Sequence, residues 1–283
     1  DYGKPGMFGA DLNASYYTIE QPYTLMYTTA SQASYIIETA PSVDFSGNEE
    51  LRNAYMGEAY FWRAFAHYYL LINFRNISPI RQMPRNGDDY VRPLEKPAAV
   101  WNFIQEDLAH AKELLPVKGY WDSKNAGRVT KASAAALLGK AYLYRSGIEQ
   151  YYGEDKTTFY SEAAKEFGDV IDGKYGTYDL TKNYADNFDV AHENNEESIL
   201  EFQFLGDVDN AGFNPGLATS GLAFDSRGLM LPGAGVGYEG VVHNWLYNAF
   251  VNSVDKDGYT DIRMFSTMIF NDLDASIHLR NDA

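Results

Sequence analysis

The residues with the clearest potential for chemistry are aromatic and polar side chains outside the regular helices. A Tyr or Trp ring can stack on the apolar C–H face of a sugar, while Asn and Arg side chains bond its hydroxyls. The alternative is that Tyr23 and Trp245 only fasten helix ends to the core. Tyr120 and Trp121 form a further aromatic patch that could bind sugar or touch a partner protein. The candidate binding residues are Tyr16, Tyr17, Tyr23, Phe224, Arg227, Tyr238, Asn244 and Trp245.

Motifs for catalysis and metal binding are weak or missing. The chain has no cysteine, G-x-S-x-G or H-E-x-x-H, and we interpret His67 and His110 as structural. Residues 235–240 spell G-x-G-x-x-G but follow a Pro-Gly break instead of a buried strand, so they do not predict nucleotide binding. Residues 255–261 lack EF-hand spacing and indicate a solvated turn more than a calcium site. We expect no enzyme activity, cofactor or metal ion.

The charge balance excludes nucleic acid as a partner. The 283 residues include 23 basic and 39 acidic side chains, which give a net charge of −16. A body this acidic repels a polyanion. The hydrophobic share of 45% is typical of a folded globular protein, and no stretch approaches 18 consecutive apolar residues.

Apolar periodicity predicts a mainly helical fold over the first 175 residues. Pro22 is expected in the first turn of a helix that ends at Pro41, Thr130 as an N-cap and Gly147 as a C-cap glycine. Two antiparallel hairpins are predicted, 48–74 on 97–115 and 131–146 on 157–171.

Two segments carry pieces of the tetratricopeptide signature. Residues 138–142 spell L-G-x-x-Y and residues 163–167 spell A-x-x-x-F. An extra loop is expected over 146–156, so we predict tetratricopeptide-like hairpins instead of a regular repeat array.

The pattern changes after residue 172. Residues 197–204 alternate and predict a short strand, residues 206–240 a long irregular loop region, and residues 241–254 a last helix. We therefore expect a helical scaffold over 1–175 and a loop-rich ligand-binding region over 176–283, both within one structural unit. Since a solenoid normally ends in a capping helix, we expect further helices to follow Ala283.

Four sequence blocks resemble the SusD/RagB family of outer-membrane nutrient-binding lipoproteins. The family pattern has Asn at the position of Ser34, and neither its lipidated N-terminal cysteine nor its C-terminal helices are in this sequence. The blocks are residues 57–70 (GEAYFWRAFAHYYL), 100–116 (VWNFIQEDL to the closing LP), 127–144 (GRVTKASAAALLGKAYLY) and 195–202 (NEESILEF).

The resemblance implies a SusD-like fold and a protein without catalytic activity. It implies a lipid-anchored protein on the surface of a Gram-negative outer membrane, which binds oligosaccharide or peptide and closes as a lid over a SusC-like TonB-dependent transporter. Contact with the membrane would be only through the N-terminal lipid. The family's ligand site is built from the two regions that hold the eight candidate residues. A tetratricopeptide-type protein-interaction scaffold is the main alternative, and a glycosidase comes third.

Overall fold

A computed structural model describes residues 17–153, 155–203 and 244–267 of the chain. These residues are mainly helical, and the β-structure among them is limited to isolated bridges such as Ile77 with Glu95 and Val254 with Thr260. The prediction of a mainly α fold is confirmed. No helix in the described ranges is both long and apolar enough to cross a bilayer.

The chain divides into two compact units. The first comprises the residues up to 179 together with 198–200, and the second comprises 180–197 and the residues from 201 onward. The predicted division at residue 175 into scaffold and ligand-binding region stays a prediction. The helices of the first unit are α1 (Tyr17–Thr39), α2 (Glu49–Phe74), α3 (Pro97–Leu114), α4 (Lys131–Tyr152) and α5 (Tyr160–Ile171).

Each helix of the first unit packs on the next one along the chain, which confirms both predicted hairpins. Gly139 lets α4 approach α5 closely, because a Cβ atom there would lie 2.8 Å from the Phe167 ring. One core is shared by α2, α3 and α4, and burial of this apolar surface is the main force that holds the hairpins together. Its largest members are Phe61, Tyr68, Leu70, Leu71, Trp101, Ile104, Leu108 and Leu138.

Local capping chemistry sets where the helices of the first unit begin and end. The Asn48 side chain accepts a hydrogen bond from the Leu51 N–H at 3.0 Å and caps α2. Thr130 is the N-cap of α4, as predicted, and its N–H donates to Ser133 Oγ at 3.2 Å. The last turn of α3 stops before Pro116, which cannot continue it.

Two helix boundaries differ from the predictions. α1 already includes Tyr17, so Pro22 lies inside the helix; near an N-terminus its missing N–H removes only one backbone hydrogen bond. Gly147 does not end α4, which continues to Tyr152 and stops at Gly153, where φ is +70°. Most of the predicted 146–156 loop is therefore helix.

The extra turns of α4 are held by a buried carboxylate. Glu149 is fully buried and accepts hydrogen bonds from Trp101 Nε1 at 2.7 Å and from Arg75 at 2.8 Å. Because an unpaired buried charge is costly, this tertiary pair favours continuing the helix past Gly147.

The predicted strand over 197–204 is wrong for its described residues. Residues 197–203 form no ladder. The Ile199 carbonyl instead accepts a hydrogen bond from Ser133 Oγ at 2.9 Å, and the Ile199 side chain packs on Ala132 and Ala135. The alternating pattern reflects a half-buried segment that has no partner strand among the described residues.

The second unit contains short helical elements. The predicted last helix is confirmed over its described part, while the predicted 206–240 loop region lies outside the described residues. Met264 is fully buried in this unit. The elements are the 3₁₀ turns Tyr184–Phe188 and Val190–His192 and the helices α6 (Asn244–Asn252) and α7 (Arg263–Thr267).

Candidate functional site

A groove runs along one face of α1. Its first part is a cavity of about 580 Å³ between α1 and the segment 78–92. Tyr23 and Tyr27, one helical turn apart, line this cavity. The polar side chains of Thr24, Thr28 and Gln32 line it from the same helix. This arrangement places aromatic faces beside hydroxyl and amide groups.

Packing holds the two tyrosine rings in place. The Tyr23 ring lies 4.8 Å from the Tyr27 ring and meets Phe74, at the end of α2, edge-on at 5.0 Å. The Tyr27 hydroxyl accepts a hydrogen bond from the Ser78 N–H at 3.1 Å, and burial raises the pKa of Tyr27 to about 12. Tyr23 nevertheless remains 41% exposed. It fastens α1 to the end of α2 and still presents a surface to solvent.

A second, polar cavity of about 630 Å³ adjoins the first and shares Met83, Asp89 and Arg92 with it. We call the two cavities together the α1 groove. In the polar part, Glu38 accepts hydrogen bonds from the Arg85 guanidinium at 2.9 Å and from the Met83 N–H at 2.7 Å. Asp89 accepts from the backbone N–H groups of residues 85 and 86.

These hydrogen bonds keep both carboxylates ionised. The Arg85 side chain lowers the pKa of Glu38, and the Arg85 backbone N–H lowers the pKa of Asp89. A carboxyl group with a lowered pKa is a poor general acid at neutral pH. The groove therefore offers binding groups and no acid for glycoside cleavage among its described residues.

A buried polar network positions the loop that forms the far wall of the groove. Arg63 on α2 pairs with Asp107 on α3 through two hydrogen bonds of 2.7 and 2.8 Å and also donates to the Arg81 carbonyl at 2.9 Å. Ser34, where the family pattern has Asn, donates to the Ile80 carbonyl at 3.2 Å. The network joins three helices to residues 80 and 81.

His67 completes this network in its neutral form. Nε2 accepts a hydrogen bond from the Ile80 N–H at 2.8 Å, so Nδ1 carries the proton and donates to the Arg63 carbonyl at 2.8 Å. Burial is the main reason why the pKa of His67 falls to about 4. This geometry is that of a structural histidine. His110, by contrast, is exposed beside the Tyr60 ring.

The Tyr120–Trp121 patch belongs to a separate aromatic cluster. The Arg128 guanidinium lies 4.2 Å from the Trp121 ring centre and 4.6 Å from that of Tyr55, and it pairs with Glu58. The Trp121 indole donates to the Val129 carbonyl at 3.2 Å. Tyr55 and Arg128 also line a cavity of about 470 Å³ on another side of α1.

Only part of the predicted site can be located. Asn244 and Trp245 begin α6 in the second unit, both are exposed, and Trp245 exposes 68% of its surface. Tyr17 is the first described residue of α1, and its side chain is not described. Four predicted residues lie outside the described ranges: Tyr16, Phe224, Arg227 and Tyr238.

Sequence reasoning missed Tyr27 and Arg92 as groove residues. The only available signal for Tyr27 was its spacing of four residues from Tyr23, and Arg92 carried none. The acidic segment 255–261 forms a turn in which Asp255 accepts hydrogen bonds from the N–H groups of Asp257 and Tyr259. No set of His, Asp and Glu side chains in the described part of the chain could hold a metal ion.

The fold and the groove define a tetratricopeptide-like helical protein with an open, partly aromatic binding surface. A profile of SusD-like proteins, described as starch-binding and associating with the outer membrane, matches residues 8–143. A SusD-like protein from Bacteroides ovatus is 29% identical over 180 residues, which are 63% of this chain and 32% of that protein.

Two solved structures extend the comparison. A laminarin-binding SusD-like protein has 27% identity and a TM-score of 0.54, with 64% of this chain and 36% of that chain covered. A crystal structure with xylogluco-oligosaccharide has 26% identity and a TM-score of 0.59, with 72% and 39% covered. In sequence and in fold the chain is similar to SusD-like proteins, a carbohydrate-binding family. It spans about a third of the length of the Bacteroides ovatus relative.

Proposed function

We propose that this protein captures an oligosaccharide at the bacterial cell surface and hands it to a SusC-like TonB-dependent transporter without chemically changing it. The observation that carries the proposal is the exposed Tyr23 ring at the α1 groove, held by Tyr27 and Phe74. A ring that is already fixed loses little conformational entropy when a sugar stacks on it.

The surroundings of Tyr23 support sugar over peptide. Hydroxyl and amide side chains follow the aromatic pair along α1, which suits a chain of ring hydroxyls. The structures solved with xylogluco-oligosaccharide and named for laminarin binding support the same ligand class. A tetratricopeptide-type protein scaffold gains no comparable support.

The binding proposal is tested by calorimetry with laminarin and xyloglucan oligosaccharides. Tyr23→Ala should weaken binding about five- to thirtyfold, because a stacking platform contributes about 1–2 kcal/mol. Tyr35→Ala is the matched control: Tyr35 lies on the same helix, is 54% exposed and does not line the groove. Equal affinities for the two variants would exclude Tyr23 as the platform.

Trp245 is tested separately because it lies in the other unit. If Trp245→Ala weakens binding of the same oligosaccharides while the fold is retained, the second unit also contributes to the site, as the notion of a ligand-binding region over 176–283 requires. If Trp245→Ala binds these oligosaccharides as tightly as the parent protein, Trp245 is not part of the binding site.

The transporter proposal follows from the need to transfer a weakly held ligand before it diffuses away. A lid over the transporter mouth raises the local ligand concentration, so modest affinity at two facing surfaces can combine. Lipid anchoring would keep the lid in place. The full-length lipoprotein should therefore co-purify with a TonB-dependent barrel from outer membranes in mild detergent. Recovery of the lipoprotein alone, with the transporter present in the same membrane, would contradict the lid.

A further inference from the structure

Arg92 differs from the other arginines of the described ranges in having no carboxylate partner there. Nine arginines lie in these ranges, and eight of them form an ion pair with Asp or Glu. In a chain with a net charge of −16, an arginine without such a pair is unexpected. The paired residues are Arg52, Arg63, Arg75, Arg81, Arg85, Arg128, Arg145 and Arg263.

Backbone carbonyls hold the Arg92 guanidinium in place without neutralising it. Nε donates to the Asp89 carbonyl, and the two terminal nitrogens donate to the carbonyls of Pro79 at 3.4 Å and Gln82 at 3.3 Å. A guanidinium has five N–H donors, so these contacts leave one N–H on each terminal nitrogen. Two such donors form the fork that matches a carboxylate.

The position of Arg92 makes this fork relevant to a ligand. Arg92 is half-buried and lines both parts of the α1 groove, between the tyrosines and the polar end. The neighbouring Glu38 and Asp89 carboxylates accept hydrogen bonds from Arg85 and from backbone N–H groups, and neither is hydrogen-bonded to the Arg92 guanidinium. The Arg85 backbone N–H is the main cause of the lowered pKa of Asp89, and the nearby Arg92 charge adds to it. The two acidic and two basic groups that line the groove balance in charge, unlike the acidic chain as a whole.

We propose that the α1 groove selects an acidic oligosaccharide, with a sugar ring on Tyr23 and the carboxylate of a uronic acid residue on the Arg92 fork. The proposal rests on the proposed glycan-binding function and names its ligand class. The helical rise from Tyr23 to Glu38 is about 22 Å, which accommodates several linked sugar rings.

The test compares a galacturonic acid oligosaccharide with neutral laminarin and xyloglucan oligosaccharides by calorimetry on the 283-residue chain. Arg92→Gln should weaken binding of the acidic ligand about 10- to 100-fold and leave neutral binding within about twofold, as expected for charge-assisted hydrogen bonds. Arg52→Gln is the control, because it removes the same charge from a side chain that is paired with Glu49 and does not line the groove. Its effect on acidic binding should be much smaller.

A second variant covers the case in which Arg92→Gln disturbs the loop. Arg92→Lys keeps the charge but loses the fork, so acidic binding should weaken less than in Arg92→Gln and clearly more than in Arg52→Gln. A sulfated oligosaccharide is the third ligand. If it depends on Arg92 while the galacturonic acid ligand does not, the carboxylate assignment is wrong.

The outcomes separate this inference from the function it rests on. Suppose that neutral oligosaccharides bind through Tyr23, and that the acidic ligand binds no more tightly than they do or keeps its affinity in Arg92→Gln. The uronate proposal is then overturned and the glycan-binding proposal stands. If no oligosaccharide of any class binds, both are overturned. Preferential acidic binding that depends on Arg92 and Tyr23 together supports both.

Discussion

Gly57 is a position where a single added carbon should be costly, because backbone as well as side-chain atoms crowd it. Gly57 is buried on α2, where the end of α3 crosses it. A Cβ atom at Gly57 would lie 2.9 Å from Leu115 Cγ, 3.0 Å from the Leu115 backbone nitrogen and 3.2 Å from Leu114 Cβ. A leucine side chain can rotate away, but the backbone nitrogen can move only if the two helices separate.

We expect Gly57→Ala to lower the free energy of unfolding by about 1–2 kcal/mol. Overpacking of a close contact typically costs about 1–3 kcal/mol, and the backbone contact puts this site in the upper part of that range. Alanine recovers about 1 kcal/mol through its higher helix propensity. The two effects together lower the free energy of unfolding.

Gly147 provides the matched control. It lies inside α4, and a Cβ atom there would meet no other heavy atom within 4 Å. Gly147→Ala should therefore raise the free energy of unfolding by about 1 kcal/mol from helix propensity alone. Urea unfolding followed by far-ultraviolet circular dichroism measures both variants. If Gly57→Ala is as stable as Gly147→Ala, the close approach of α2 and α3 is incorrect.

Two further stability predictions concern the core and the buried network. Leu138 is 2% exposed in the core, so Leu138→Ala should cost about 2–5 kcal/mol, and an unchanged urea midpoint would contradict its placement. His67 has a pKa of about 4 in the folded chain against 6.5 for an unperturbed histidine, so the unfolded chain binds more protons between these values. Stability should fall by about 3 kcal/mol from this group as the pH drops from 6.5 to 4. His67→Gln should lack that part of the pH dependence; parallel pH profiles for the two proteins would contradict it.

The helices were predictable because each depends on a local signal. The stripe of apolar residues on α3 lies between Pro97 and Pro116, and Thr130 marks the start of α4, so sequence periodicity and capping chemistry agree. The end of α4 was not predictable, because it depends on a buried contact between Glu149 and Arg75, which are 74 residues apart. The predicted strand failed for a similar reason, since a ladder needs a partner strand and the described part of the chain offers none to residues 197–203.

The site was predictable only in part. Tyr23 was a candidate because it is an aromatic residue near a helix end, and the structure gives it both a packing contact with Phe74 and an exposed surface on the groove. Its role in binding stays a prediction. Arg92 was missed because its interest as a binding residue depends on its partners in the folded chain. Its guanidinium donates to three backbone carbonyls and has no described carboxylate partner. A missing ion pair has no sequence signature.

The four sequence blocks carry the resemblance to SusD-like proteins, yet none of them contains a residue that lines the α1 groove. Arg63 and His67 of the first block and Asp107 of the second instead hold residues 80 and 81 in place. Buried pairs of this kind fix the loop geometry, while the loop itself supplies the groups that meet a ligand. Ligand choice can therefore change through the segment 78–92 and the exposed face of α1 without disturbing the scaffold. This separation explains why sequence motifs identify a SusD-like protein while the ligand class has to be inferred from side chains such as Tyr23 and Arg92.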